Sequence, residues 1–198
     1  KQLNAAYRER YNHLKGTYAL TVPFMELLFK LAKRGDGSQP AGWVGQITSN
    51  SFMKREFGAP IIEDFLAHLD LREVIDTSGA YIPGHGTPTI ILFGRHRAPV
   101  GDGVRTVMGN KGEPSTPDDP AQGLVWSAIV GQIDRAGSES EFVSVVDTVR
   151  DVFAKHPWSI GGGGAADLKE SIEDAAACTL DAVVGVYRFT VAVGDRVV

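Results

Sequence analysis

Apolar residues along the chain fall into short periodic runs separated by glycine, proline and small polar residues. Between Tyr18 and Arg34 the run YALTVPFMELLFKLAKR carries Leu20, Phe24, Leu27, Leu28 and Leu31 at helical spacing, which marks one helix face. Pro23 suits a first turn, and Lys30, Lys33 and Arg34 suit the negative end of the dipole, so a helix is predicted from about Val22. WVGQIT (43–48) reads as a buried strand. FMKREFGAPIIEDFLAHL (52–69) predicts a helix interrupted or begun twice around Gly58-Ala59-Pro60, with Ile61, Ile62, Phe65, Leu66 and Leu69 on one face. LREVIDTSG (71–79) predicts a strand ending in Asp76-Thr77-Ser78-Gly79. After the turn-rich AYIPGHGTP come TIILFG (89–94) and VRTVMG (104–109), strands that can pair as a hairpin.

NKGEPSTPDDPAQG (110–123) has the composition of a linker or surface crossing. A helix follows from Leu124 to Ile133, then a strand EFVSVV and a short helix to His156. The PWSIGGGG turn leads into a helix from about Ala165 to Cys178 and the strand-like VVGVYRFTVAV. Lys1 to Tyr11 reads as a polar helix or loop, and the start at Lys1 suggests a piece cut from something longer. Alternation of helix and strand at this spacing implies a mostly parallel sheet with helices on its faces, closed by an antiparallel pair. Residues 1–110 are assigned to one domain, and 111–198 to a linker with a connecting or second domain.

In open α/β sheets, ligands sit beyond the carboxyl ends of the strands. The stretch QITSNSFMKREFG turns from apolar strand to Thr48-Ser49-Asn50-Ser51 and then to Lys54-Arg55. Asp76-Thr77-Ser78 and the 81–86 loop end neighbouring elements, so three polar or glycine-rich tips are expected along one rim. Asn50 or Ser51 can equally serve as a helix cap.

Composition narrows the class. A 43% hydrophobic content describes an ordinary globular chain, and no apolar run approaches the roughly 20 residues of a membrane span. The single cysteine, Cys178, calls for no oxidising compartment, so a cytoplasmic location is expected. Net charge is −4, but residues 1–112 carry +4 and residues 113–198 carry −8. A basic first part is compatible with nucleic acid meeting that part alone; two domains with different surface habits explain the asymmetry as well.

The order of four segments resembles the second half of an N6-adenine DNA methyltransferase domain. They are GTYALTVPFMELLFKLAK (16–33), GWVGQITSNSFMKREFG (42–58), LREVIDTSGAYIPGHGTPTIILFGRHR (71–97) and GEPSTPDDPAQGLVWSAIV (112–130). The resemblance is to the phage-defence type (BREX or phage growth limitation, PglX-like), related to type IIG restriction–modification enzymes. It implies an α/β fold: the C-terminal half of a Rossmann-like S-adenosylmethionine-dependent methyltransferase sheet with a β-hairpin edge, followed by a connecting α+β region. It implies double-stranded DNA as substrate, other phage-defence proteins as further partners and no membrane. Such enzymes flip an adenine out of the duplex and hold its amine with an (Asn/Asp)-Pro-Pro-(Tyr/Phe) motif. That motif and the glycine-rich cofactor turn are absent from this chain, and the family places both upstream of Lys1. The chain is therefore expected to be inactive alone, with the cofactor bound mainly by the missing half.

The resemblance also assigns residues. Tyr81, Ile82 and Pro83, with Asn50 and Ser51, are expected to form the target-base pocket; Tyr81 is the aromatic candidate for stacking, while alignment favours Ile82 for that place. Tyr81 packing on Phe93 within the sheet is the alternative. Lys54, Arg55, Arg95 and Arg97 are candidates for phosphate contacts, and His85 for DNA contact or for capping a turn. Relatives often have Asp or Asn before Leu-Tyr on the first helix; Ala19-Leu20-Thr21 here argues against a cofactor contact there.

Rival readings are weaker. Gly161 to Ala166 formally fits G-x-G-x-x-A, but the strand before it is short and stopped by Pro157. Asp76, Ser78 and His85 share a neighbourhood without a G-x-S-x-G elbow. The five histidines show no paired metal-ligand spacing. From another class, a non-catalytic DNA-binding or scaffolding module stands as the alternative.

Overall fold

A computed structural model describes residues 2–35, 38–160, 171, 172, 175, 192, 193, 196 and 197. Chain contacts divide it into two compact units, Lys1–Gly163 and Gly164–Val198. In the second unit Ser171, Ile172 and Ala175 are helical, and the short strands Ala192–Val193 and Arg196–Val197 pair antiparallel. The Gly161–Gly164 run and most of the helix and strand expected after it lie outside the described residues.

The first unit is built on five strands: β1 (Trp43–Ser49), β2 (Asp70–Asp76), β3 (Thr89–Arg95), β4 (Gly103–Gly109) and β5 (Val143–Val149). Their order across the sheet is β1-β3-β2-β4-β5. Helices α1 (Gln2–Arg10), α2 (Thr21–Leu31), α3 (Ala59–Glu63) and α4 (Leu124–Gln132) complete it. The α/β class expected from the sequence holds, with two corrections of detail. Only β2 and β4 pair in parallel. The segments 89–94 and 104–109 do not form a hairpin, because β2 lies between them and pairs with both. The expected domain break after residue 110 falls between two neighbouring strands of one sheet, since β5 pairs with β4 over its whole length.

Strand alternation sends successive side chains to opposite faces. On one face Val44, Val74, Ile90, Leu92 and Val104 meet Val22, Met25 and Phe29 of α2, Ile61 and Ile62 of α3, and Phe52, Phe153 and Trp158. On the other, Ile75, Val107, Val143 and Val145 meet Val125 and Ile129 of α4. Trp158, from the HPWSI stretch of unclear sequence role, is fully buried, edge-on to Phe52 and Phe153, and its backbone N–H donates to Met53 O at 2.9 Å.

Two elements depart from the sequence pattern. Residues 52–69 are not one helix: the chain makes 3-10 turns at Asn50–Met53 and Glu56–Gly58, then α3, then a 3-10 turn at Leu66–His68. The cause is a chain reversal that brings Gly58 against the Phe52 carbonyl. The face of α2 predicted for burial is also reversed. Val22, Met25 and Phe29 are buried, while Leu20, Phe24, Leu28 and Leu31 are exposed. The helix is apolar on both sides and this sheet takes only one of them.

Among the described residues two carboxylates are buried completely. Asp70 receives Arg97 through Nε and the terminal nitrogen, both at 2.8 Å, with Arg150 at 3.5 Å and the Val100 N–H at 3.3 Å. Glu26 accepts from Lys30 and is bonded to His13 Nδ1 at 2.8 Å, which ties the segment before α2 to the helix. Burial alone pushes the Glu26 carboxyl up, but the Lys30 and His13 bonds and charges outweigh it and hold the carboxyl below its ordinary value. A depressed folded-state value contributes stability that is present above the unfolded carboxylate pKa of about 4.3 and is lost as pH falls through the folded value. Glu26→Gln should lower stability at pH 7 by about 1–3 kcal/mol. Thermal melts of both proteins from pH 7 to 3 check this: the gap should close in acid, and a gap independent of pH would contradict it.

Candidate functional site

The sheet's register builds the site. Ser49 ends β1 opposite Thr89, the first residue of β3, and Asp76 ends β2 opposite Ile90. Because β3 runs antiparallel to both neighbours, the end of β1, the end of β2 and the start of β3 share one edge. Backbone bonds close it: Asn50 N–H donates to Pro88 O at 3.1 Å and Thr77 N–H to Thr89 O at 3.1 Å. The buried Thr77 and Thr89 hydroxyls meet at 2.7 Å.

Polar side chains then lock the tips. Ser49, rather than Asn50 or Ser51, caps the turn that follows, with its Oγ accepting the Ser51 N–H at 3.3 Å. The strand runs one residue further than predicted, which makes Ser49 the cap. Asn50 is free to reach across, and its amide donates to Ser78 Oγ at 3.1 Å. Ser78 is held in turn by Asp76 through both its N–H and its hydroxyl. The triad-like trio of Asp76, Ser78 and His85 therefore resolves into a brace, with Ser78 bonded to Asp76 and Asn50.

Between β2 and β3 the loop turns at Ile82-Pro83-Gly84-His85, where His85 N–H donates to Ile82 O at 3.1 Å. Pro83 sets the second position and Gly84, at φ +68°, takes the third, as a type II turn requires. The turn and the strand ends border an open cavity of about 450 Å³ lined by Thr21, Ile47, Thr48, Ser49, Ile82 and His85, with Thr87 and Thr89 completing it. That volume lies within the ~300–1,000 Å³ of small-molecule sites. The Thr21 and Thr48 hydroxyls are buried without a hydrogen-bond partner. Buried hydroxyls normally find partners, so an unpaired pair beside a cavity offers donors and acceptors to an occupant.

The structure distributes the sequence candidates unevenly. Ile82 and His85 wall the cavity; Asn50, Ser51 and Pro83 lie beside it on the same edge. Tyr81 is absent from the walls and makes no ring contact with Phe93. Its carbonyl instead accepts Trp126 Nε1 at 3.1 Å. Lys54 and Arg55 are exposed just past the Asn50–Met53 turn and enter no ion pair among the described residues. Arg95 and Arg97 are elsewhere. Arg95 ends β3, six residues or about 20 Å from Thr89, and Arg97 lies two residues beyond it. The Arg95 guanidinium stacks over Trp43 at 4.6 Å and Arg97 is committed to Asp70. Thr21 and Trp126 were not legible in the sequence, because their roles arise from contacts between distant segments, whereas Thr48 belongs to the polar tip expected after Ile47.

Among the described residues the walls present hydroxyls, a histidine and aliphatic groups, with no carboxylate and no glycine-rich helix start. That set does not amount to a seat for S-adenosylmethionine.

No family model matches the chain. Over 177 residues, 86% of its length, it is 54% identical to the adenine-specific methyltransferase PglX of Streptomyces coelicolor. The chain spans only 14% of that protein. Its fold superposes, with a TM-score of 0.53 over 81% of its length, on a modification subunit assigned to a type I restriction enzyme from Vibrio vulnificus YJ016, at 12% identity and 35% of that chain. The chain is thus a relative, across most of its residues, of one stretch of an adenine-specific methyltransferase, in a fold shared with a restriction-enzyme modification subunit.

Proposed function

We propose that this chain is the part of a PglX-like DNA methyltransferase that receives the target adenine. The longer protein would flip that base out of the duplex and methylate its N6 with S-adenosylmethionine as donor, in phage defence. The observation that carries the reading is the cavity at the shared edge of β1, β2 and β3, with two unpaired buried hydroxyls beside it. It occupies the loop and strand ends that the resemblance assigns to the target base. An adenine ring has apolar faces and a polar edge, and the cavity offers Ile47 and Ile82 for the first and threonine hydroxyls for the second. Lys54 and Arg55 beside it supply phosphate contacts, which add affinity without reading sequence.

S-adenosylmethionine supplies an electrophilic methyl group; here its seat, and the motif that activates the amine, belong to other parts of the longer protein. Two features support that division. Strand β1 is an edge of the sheet, and Trp43 on it is exposed, as are Leu20, Phe24, Leu28 and Leu31 of the α2 segment. Exposed large apolar side chains together with an open strand edge are unusual for a free surface and suit continuation of the same domain. Residues 1–198 alone are then inactive.

The test is transfer of labelled methyl to adenine N6 in duplex DNA by the longer protein. Methylation is the expected result; DNA binding without it would favour the scaffolding alternative. In the same protein, Lys54→Ala with Arg55→Ala should reduce the slope of log affinity against log salt by about 2. A slope equal to that of the parent would remove these residues from the interface.

A further inference from the structure

The glycine- and proline-rich stretch after β4 has linker composition, yet it is fastened to the start of the base-receiving loop at Gly79. Glu113 N–H donates to Gly79 O at 2.8 Å. Gly79 and Gly112 approach so closely that a Cβ on Gly79 would stand 3.0 Å from the Gly112 Cα. Glu113 then folds its carboxylate over the start of α4, accepting Leu124 N–H at 2.9 Å and Val125 N–H at 3.0 Å. The first turn of α4 carries no acidic residue of its own, and Gly123 gives it no side-chain cap. A residue eleven positions upstream therefore does the capping, and the strap 112–123 is closed into a loop. One turn into α4, Trp126 packs against the Ile75–Val107 face and sends Nε1 to Tyr81 O at 3.1 Å. Tyr81 is the residue before Ile82, a wall of the cavity.

We infer that Trp126 and Glu113 are positioning residues for the target-base loop: α4, pinned by Glu113, holds the Tyr81 carbonyl and thereby sets Ile82 against the cavity. This rests on the reading of that cavity as the adenine site. The donor from Trp126 fixes the backbone immediately before the Ile82–His85 turn. The loop's other end is anchored independently by Pro88 O and the Thr77–Thr89 contacts. Losing the Trp126 bond therefore loosens one arm of the loop and leaves the sheet intact. The Tyr81 ring takes no part, since the bond is to its main chain.

The experiment uses the longer methyltransferase with Trp126→Phe, which keeps a ring on the α4 face and removes the donor, and with Glu113→Gln, which keeps a hydrogen-bond acceptor and removes the charge. Methyl transfer is followed on duplex DNA with adenine at the target position, and base flipping on a matched duplex carrying 2-aminopurine there, whose fluorescence rises when the base leaves the stack. Trp126→Phe should lower single-turnover methyl transfer and the 2-aminopurine signal together by about three- to tenfold, the ratio to which one hydrogen bond's net worth converts. KM for S-adenosylmethionine should stay unchanged. Glu113→Gln should shift both readouts in the same direction by less. Ile82→Ala serves as the arbiter. If Ile82→Ala impairs the 2-aminopurine signal and Trp126→Phe does not, the strap inference is overturned and the adenine site stands. If neither variant changes it, both fall. A lower melting temperature in Trp126→Phe with both readouts at parental values would reduce Trp126 to packing and overturn the inference.

Discussion

An alanine at Gly58 should leave residues 1–198 unfolded or close to it. The added Cβ would lie 1.7 Å from the Phe52 carbonyl oxygen and 2.6 Å from its carbon. Neither atom belongs to a side chain, so no rotamer change relieves the clash, and the reversal between the Asn50–Met53 turn and α3 must open. Ordinary overpacking costs about 1–3 kcal/mol. A backbone collision of this depth belongs to the exceptional class above about 4 kcal/mol, against a total stability of roughly 5–15 kcal/mol. Backbone torsion is not the reason, because Gly58 sits at φ −83°, open to any residue. Gly86→Ala is the matched control: nothing lies within 4 Å of its Cβ position, and the change should stay within about 0.5 kcal/mol. Urea unfolding of the three proteins reads both effects. A Gly58→Ala protein as stable as its parent would mean the reversal is not built as described.

The same reversal shows where the sequence was legible and where it was not. Each strand of the sheet was visible as an apolar run within three residues of its bounds, because burial on alternating faces leaves its period in the residues themselves. The 52–69 segment kept the right buried residues, with Ile61, Ile62 and Leu66 all in the core. Its helix was lost to a contact between Gly58 and Phe52, which no periodicity encodes. Helix α2 misled for a different reason. With apolar residues on both sides, its pattern does not say which side this sheet takes, and the stripe expected inside is the one left open. The polar tips after Ile47 and Ile75 were legible because small residues ending an apolar strand have few other uses. Pairing was not: that β3 inserts between β1 and β2 depends on which edges meet in space. The same holds for the site. Ile82 and His85 are neighbours in a recognisable turn, whereas Thr21 and Trp126 reach the region from elements far apart in the chain. Arg95 and Arg97 illustrate the converse, since basic residues close to the loop in sequence are carried to the opposite end of a seven-residue strand.

The most direct measurement is single-turnover methyl transfer to adenine by the longer protein carrying Ile82→Asp. A carboxylate placed on an apolar wall carries a desolvation cost when a base fills the cavity, and it repels the electron-rich ring nitrogens. Ile82 is half-buried on a turn whose backbone bond is made by its carbonyl, so the substitution spares the fold. The account predicts a rate reduced by about 100-fold or more, equivalent to about 2.7 kcal/mol of transition-state stabilisation, with duplex affinity within about twofold of the parent. Methyl transfer at the parental rate would show that adenine is received somewhere other than this edge of the sheet.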